Sequence, residues 1–237
     1  RVPGAFSAFV LITIISYIFM RVGLRKFLPK KETNVNLPFR QMANYGVLSF
    51  FMTVSMMSLY NTDVVLVRHF FSSYESGLYA ALSVLGKIIF FSSAPVSVAM
   101  FPLVSEAHAR GESYKRIFLQ SLFIILLMIG SATFIFSSFP AQTIKILVGN
   151  NYLPAAPYLM MFSLFLSACA ILNLMVSFFL SIHKAFPAYV LGVAAILQIV
   201  LISVFHTNLY TVILISLGIT GMTSVIFSAY YVAIARS

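Results

Sequence analysis

Residues 157–182 read PYLMMFSLFLSACAILNLMVSFFLSI, and none of them is charged. A helix of about 20 such residues crosses the hydrocarbon of a bilayer. The apolar run is continuous and lacks the period-2 alternation of a membrane-barrel strand. The stretch therefore reads as a transmembrane helix, and the rest of the chain repeats its pattern. Asp, Glu, Lys and Arg are all missing from 2–20, 41–62, 88–105, 117–144, 146–183 and 185–235.

Composition agrees. Of 237 residues, 61% are apolar and 8% are charged, against about 25% charged in an ordinary soluble domain. So little charge excludes a soluble domain, and such high hydrophobicity excludes intrinsic disorder. The net charge of +10 does not point to nucleic acid, because the basic residues are sparse and interrupt greasy runs. Cys169 is the one cysteine, which excludes a disulfide framework and a multi-cysteine metal site.

Turn signals divide the longer runs: Phe139-Pro140, Gly149-Asn150-Asn151, the segment from His183 to Pro187, and His206-Thr207-Asn208. The expected architecture is an all-α, polytopic transmembrane bundle of seven spans, near 4–20, 44–67, 77–104, 115–138, 157–182, 186–205 and 210–233. The chain opens Arg1-Val2-Pro3 without a small-residue cleavage pattern, so the first span reads as a helix and not as a signal peptide. The same opening leads to the expectation of a fragment with a further part upstream.

Basic residues set the expected orientation. Arg21, Arg25, Lys26, Lys30, Lys31 and Arg40 follow the first span; Arg110, Lys115 and Arg116 follow the third; Lys184 follows the fifth; Arg236 lies in the C-terminal tail. The other side holds Arg1, Arg68 and Lys145. This asymmetry places the amino end outside and the carboxyl end in the cytoplasm of a plasma (inner) membrane protein. Tyr45, Tyr79, Tyr114, Tyr158, Tyr210 and Tyr230 sit near span ends, as interfacial anchors would. Residues 21–43 read as a basic cytoplasmic linker between one helix, 1–20, and a six-helix block, 44–237. Its cations suit anionic headgroups, with topology alone as the plainer reading.

Charges inside spans mark candidate functional positions. Asp63 lies late in the second span and Lys87 about midway through the third. Ser49, Thr53, Met56, Tyr60 and Asp63 share a helical face, as do Ser76, Ala80, Ser83 and Lys87. Asn61 and Gln198 add neutral hydrogen-bonding groups. The candidate cavity set is Lys87, Asp63, Asn61, Tyr60, Ser83 and Gln198. Two readings of Lys87 stand side by side: an ion pair with Asp63 or Glu75 that holds helices together, or a cation offered to an anionic substrate. Snorkelling is a third. Pro95 and Pro102 are candidate kink or hinge positions in the third span, and Pro102 is expected to end it. Small residues on the fifth span (Ser163, Ser167, Ala170, Ser177, Ser181) and the seventh (Gly218, Thr220, Gly221, Ser224, Ser228) read as close-packing surfaces. No phosphate loop, nucleophile elbow, paired catalytic carboxylates or metal-ligand spacing occurs, so no enzymatic chemistry is expected.

Three stretches carry a resemblance: Asn61-Thr62-Asp63 with Gly77-Leu78-Tyr79, Pro95 through Ser105, and Gly149-Asn150-Asn151-Tyr152. Together they resemble the C-terminal half of the polysaccharide biosynthesis flippases of the multidrug/oligosaccharidyl-lipid/polysaccharide exporter superfamily. Members typically show an Asp late in the seventh helix, a Gly-x-Tyr opening the eighth and a Gly-x-x-Tyr loop before the tenth. The likeness covers most of 44–180. It implies two six-helix lobes, of which this chain holds the last helix of the first and all of the second. It further implies alternating-access transfer of a polyprenyl-diphosphate-linked oligosaccharide, no cofactor, contact with membrane lipids, glycan-assembly enzymes as candidate partners, and H+ or Na+ as coupling ion. Lys87 would meet the diphosphate, and Asp63 would balance its charge or couple to a cation. The rival readings are a multidrug or small-molecule cation antiporter of the same superfamily, a seven-helix receptor, and an integral membrane glycan enzyme.

Overall fold

The structure, a computed structural model, describes residues 2–24 and 39–236. Among them all regular elements are helical: α1 (Val2–Leu24), α2 (Phe39–Leu59), α3 (Thr62–Phe70), α4 (Ser73–Ala109), α5 (Lys115–Ser138), α6 (Pro140–Leu147), a 3-10 turn (Asn150–Ala155), α7 (Ala156–Ser181), α8 (Phe186–Val204) and α9 (Leu209–Arg236). The chain divides into two units, Arg1–Phe39 and Arg40–Ser237. The first consists of α1 among its described residues, and the bundle below belongs to the second.

Among the described residues, six helical segments are long and apolar enough to cross a membrane: Met42–Leu59, Ser73–Ala109, Lys115–Ser138, Asn150–Ser181, Phe186–Val204 and Leu209–Ile234. The stretch Val10–Leu24 of α1 is a shorter apolar helix. Six segments, not seven, thus meet the criterion. The expected linker 21–43 narrows at both ends, because α1 runs to Leu24 and α2 starts at Phe39. Arg25, Lys26, Lys30 and Lys31 lie outside the described residues.

Two expectations need correction. The span 44–67 is not one helix, because it breaks at Tyr60-Asn61 between α2 and α3. Asn competes with helix through local side-chain bonds, and Asn61 Nδ2 donates to the Met57 carbonyl at 2.9 Å. Ser58 and Thr62 hydroxyls bridge the same break at 2.9 Å. Nor does Pro102 end its span: α4 continues through Pro95 and Pro102 to Ala109. A proline inside a helix removes one N–H bond, and neighbours in a membrane bundle compensate for that loss. Its far end is anchored by a capping box, in which Ser72 Oγ accepts from the Glu75 N–H at 3.2 Å and Glu75 Oε2 accepts from the Ser72 N–H at 3.2 Å. At 37 residues α4 is about 55 Å long, well beyond a hydrocarbon core of about 30 Å.

The loop expected around 139–151 holds α6, with Pro140 in its first turn. Gly149 follows at φ 113°, a conformation that side-chain-bearing residues rarely adopt.

α7 is the most buried candidate span, and it packs most extensively on α4, then on α9 and α5. Lipid removes most of the hydrophobic drive between helices, so close fit carries the packing. Gly86 of α4 shows this. A Cβ there would lie 2.8 Å from Leu166 Cγ and from the Phe162 ring on α7. Toward the other end, Phe118, Phe178 and Tyr231 join α5, α7 and α9 with ring centroids 4.5–5.4 Å apart. Of the small residues expected to pack, Ser163, Ser167, Ala170, Ser181 and Thr220 are buried. A Cβ added at Gly218 or Gly221 would meet nothing within 4 Å. Thr220, Ser224 and Ser228 turn their hydroxyls onto their own helix, each donating at 2.8 Å to the carbonyl four residues back.

Candidate functional site

The break between α2 and α3 is the centre of the site. It places Asp63 in the first turn of α3, where the helix dipole favours a carboxylate. The side chain is fully buried. Tyr79 Oη, on α4, donates to Asp63 Oδ2 at 2.7 Å, while Asp63 Oδ1 has no partner. One turn further along α3, the Val67 carbonyl accepts from Ser76 Oγ at 3.2 Å. α3 is thus tied to α4 by two buried bonds at i and i+4.

The other side of the break is braced by α8. Gln198 is fully buried, and its Nε2 donates to the Leu59 carbonyl at 3.1 Å and to Ser216 Oγ on α9 at 2.9 Å. A helix end leaves carbonyls without intrahelical partners, and Gln198 satisfies one of them. Its Oε1 has no partner.

Tyr79, Ser83 and Lys87 follow one another at four-residue spacing, hence along one face of α4. Ser83 is buried and Lys87 half-buried. The ammonium group forms no ion pair: among the described residues the salt bridge is Arg110 with Glu106, and Glu75 is held by Ser72. The pairing of Lys87 with Asp63 or Glu75 is therefore absent, although the Lys87 charge acts on the Asp63 carboxyl through space. Tyr60 is half-buried and packs on Phe90 at 4.5 Å between ring centroids. Asn61 serves the end of α2, as described above.

Tyr60, Asn61 and Lys87 are half-buried. Asp63, Ser83 and Gln198 are sealed in packing. Ser49 and Thr53 belong to α2 and lose helical register with Asp63 at the break. Tyr79 is the partner of Asp63 that sequence reasoning missed: placed among the interfacial anchors, it is fully buried on Asp63. The signal was its four-residue spacing to Ser83 and Lys87. Among the described residues no cluster of three or more His, Cys, Asp or Glu side chains is arranged to hold a metal ion.

A family model described as polysaccharide biosynthesis protein matches residues 4–157. That range covers most of α1, all of α2 to α6 and the start of α7. No curated protein and no solved structure matches the chain.

Proposed function

We propose a flippase function for this chain, which belongs to the polysaccharide biosynthesis protein family. It moves a polyprenyl-diphosphate-linked oligosaccharide, or a related polysaccharide precursor, across the plasma membrane by alternating access. It acts as a transporter and not as an enzyme, with α1 as a further membrane-crossing helix, the amino end outside and the carboxyl end in the cytoplasm.

The observation that carries this reading is Lys87, a half-buried cation inside a candidate membrane-spanning helix, with no ion-pair partner among the described residues. Such a charge is expensive in hydrocarbon and marks a substrate path. A sugar-diphosphate headgroup cannot shed its water into lipid unaided, and a protein cation replaces part of that hydration. Asp63 supplies the coupling. Its carboxyl acts on Lys87 through space, so a proton or Na+ arriving at Asp63 cancels a negative charge and strengthens the pull of Lys87 on an anion. Loss of the cation reverses the effect and releases the headgroup.

The test replaces Lys87 with Gln and with Arg in the full-length protein and measures surface glycan. Lys87→Gln is expected to lower export by about tenfold or more, equivalent to ~1.4 kcal/mol, and Lys87→Arg to retain most of it. Normal export by Lys87→Gln removes Lys87 from the mechanism and the proposal with it.

A further inference from the structure

The loop end of the bundle between α4 and α5 carries a second cationic feature, separate from Lys87. Arg110 is neutralised there by Glu106. Lys115 and Arg116, which open α5, have no ion-pair partner among the described residues. Lys115 and Ser113 line two adjoining clefts. The inner cleft, about 270 Å³, is backed by Phe178 and Tyr231. Tyr231 Oη is buried and has no hydrogen-bond partner. Its ring is held by Phe118 and Phe178, so the hydroxyl is sealed behind the wall of the cleft. The outer cleft, about 540 Å³, runs from Lys115 and Arg116 past Gln120 to Leu119 and Phe123. Leu119 and Phe123 are exposed, and they follow Arg116 down the same face of α5 at helical spacing.

A cationic rim, continued by an apolar track along a candidate membrane-spanning helix, matches an amphiphile whose charged end is an anion. We infer that this end of the bundle seats one anionic phospholipid. Its phosphate lies between Lys115 and Arg116 at the rim of the outer cleft, and one acyl chain lies along Leu119 and Phe123. Free inorganic phosphate shares the headgroup chemistry but leaves the apolar track empty. The seat goes beyond the transport reading and does not depend on it, since no residue of the Asp63–Lys87 region takes part.

The test titrates the purified full-length protein in detergent with phosphatidylglycerol, phosphatidylcholine and inorganic phosphate, and reads bound lipid by native mass spectrometry. The wild type is expected to retain phosphatidylglycerol in preference to phosphatidylcholine. Combining Lys115→Gln with Arg116→Gln lowers phosphatidylglycerol affinity by at least about tenfold, whereas the exchange Lys115→Arg with Arg116→Lys preserves it, which separates charge from folding. Lys145→Gln, on α6, changes nothing. Undiminished binding in the double Gln variant overturns the inference. Equal retention of phosphatidylcholine, or displacement of phosphatidylglycerol by millimolar phosphate, does so as well.

Discussion

Tyr79 Oη donates to Asp63 Oδ2 at 2.7 Å, joining two fully buried side chains sixteen residues apart in sequence. The bond crosses from α4 to the short helix α3 and fixes the carboxyl beside the break that follows the candidate membrane-crossing segment Met42–Leu59. Because Asp63 Oδ1 has no partner, this single donor is the main neutral support the acid has.

Removing that donor isolates the carboxyl. Tyr79→Phe keeps the ring against Phe162 and leaves a buried acceptor unsatisfied, at a cost of about 1–3 kcal/mol. Thermal unfolding in detergent is expected to show a clear loss of stability. An unchanged midpoint means that water or another group replaces the phenol.

Asp63→Asn separates charge from hydrogen bonding. The amide oxygen still accepts from Tyr79, so the protein folds with a midpoint close to the wild type. Glycan export is expected to fall by about tenfold or more and to lose its response to an imposed cation gradient. Full, gradient-dependent export by this variant is incompatible with a coupling role for Asp63.

Gln198→Leu deprives both the Leu59 carbonyl and Ser216 Oγ of their donor. The expected destabilisation is about 1–3 kcal/mol. Hydrogen exchange should rise first at the α2–α3 break, because that carbonyl end loses its brace. Gln198→Glu should be worse, since a second acceptor would then face the carbonyl.

Gly86→Ala inserts a methyl 2.8 Å from Leu166 Cγ and the Phe162 ring, both of them buried side chains with no room to withdraw. Overpacking of this kind costs about 1–3 kcal/mol. Gly221→Ala is the contrast: nothing lies within 4 Å, and Ala is the better helix former by about 1 kcal/mol. Paired melting curves of the two variants should move in opposite directions.

These positions show what was readable in advance. Asp63 and Lys87 stood out as charges within long apolar runs, and that required no knowledge of packing. Gln198 stood out as polar, but its role did not, because its partner is a carbonyl exposed by a helix break 139 residues away in sequence. Tyr79 was misplaced because a tyrosine near a span end normally faces the interface. The phase of α3, reset at Tyr60-Asn61, decides that it faces Asp63 instead. The reach of α4 to Ala109 was equally hidden, since Pro102 signals a stop only when no neighbouring helix supports the chain beyond it.

The sequence by itself determined the class of this protein. Uncharged runs of 20 or so residues must satisfy their backbone bonds internally in lipid, so helices and their approximate limits follow from composition. The tertiary structure alone decided where the first long run breaks, which helices approach at Gly86, and which donors meet Asp63 and the Leu59 carbonyl. Those outcomes depend on the rotational phase and spacing of helices distant in sequence, which hydropathy does not encode.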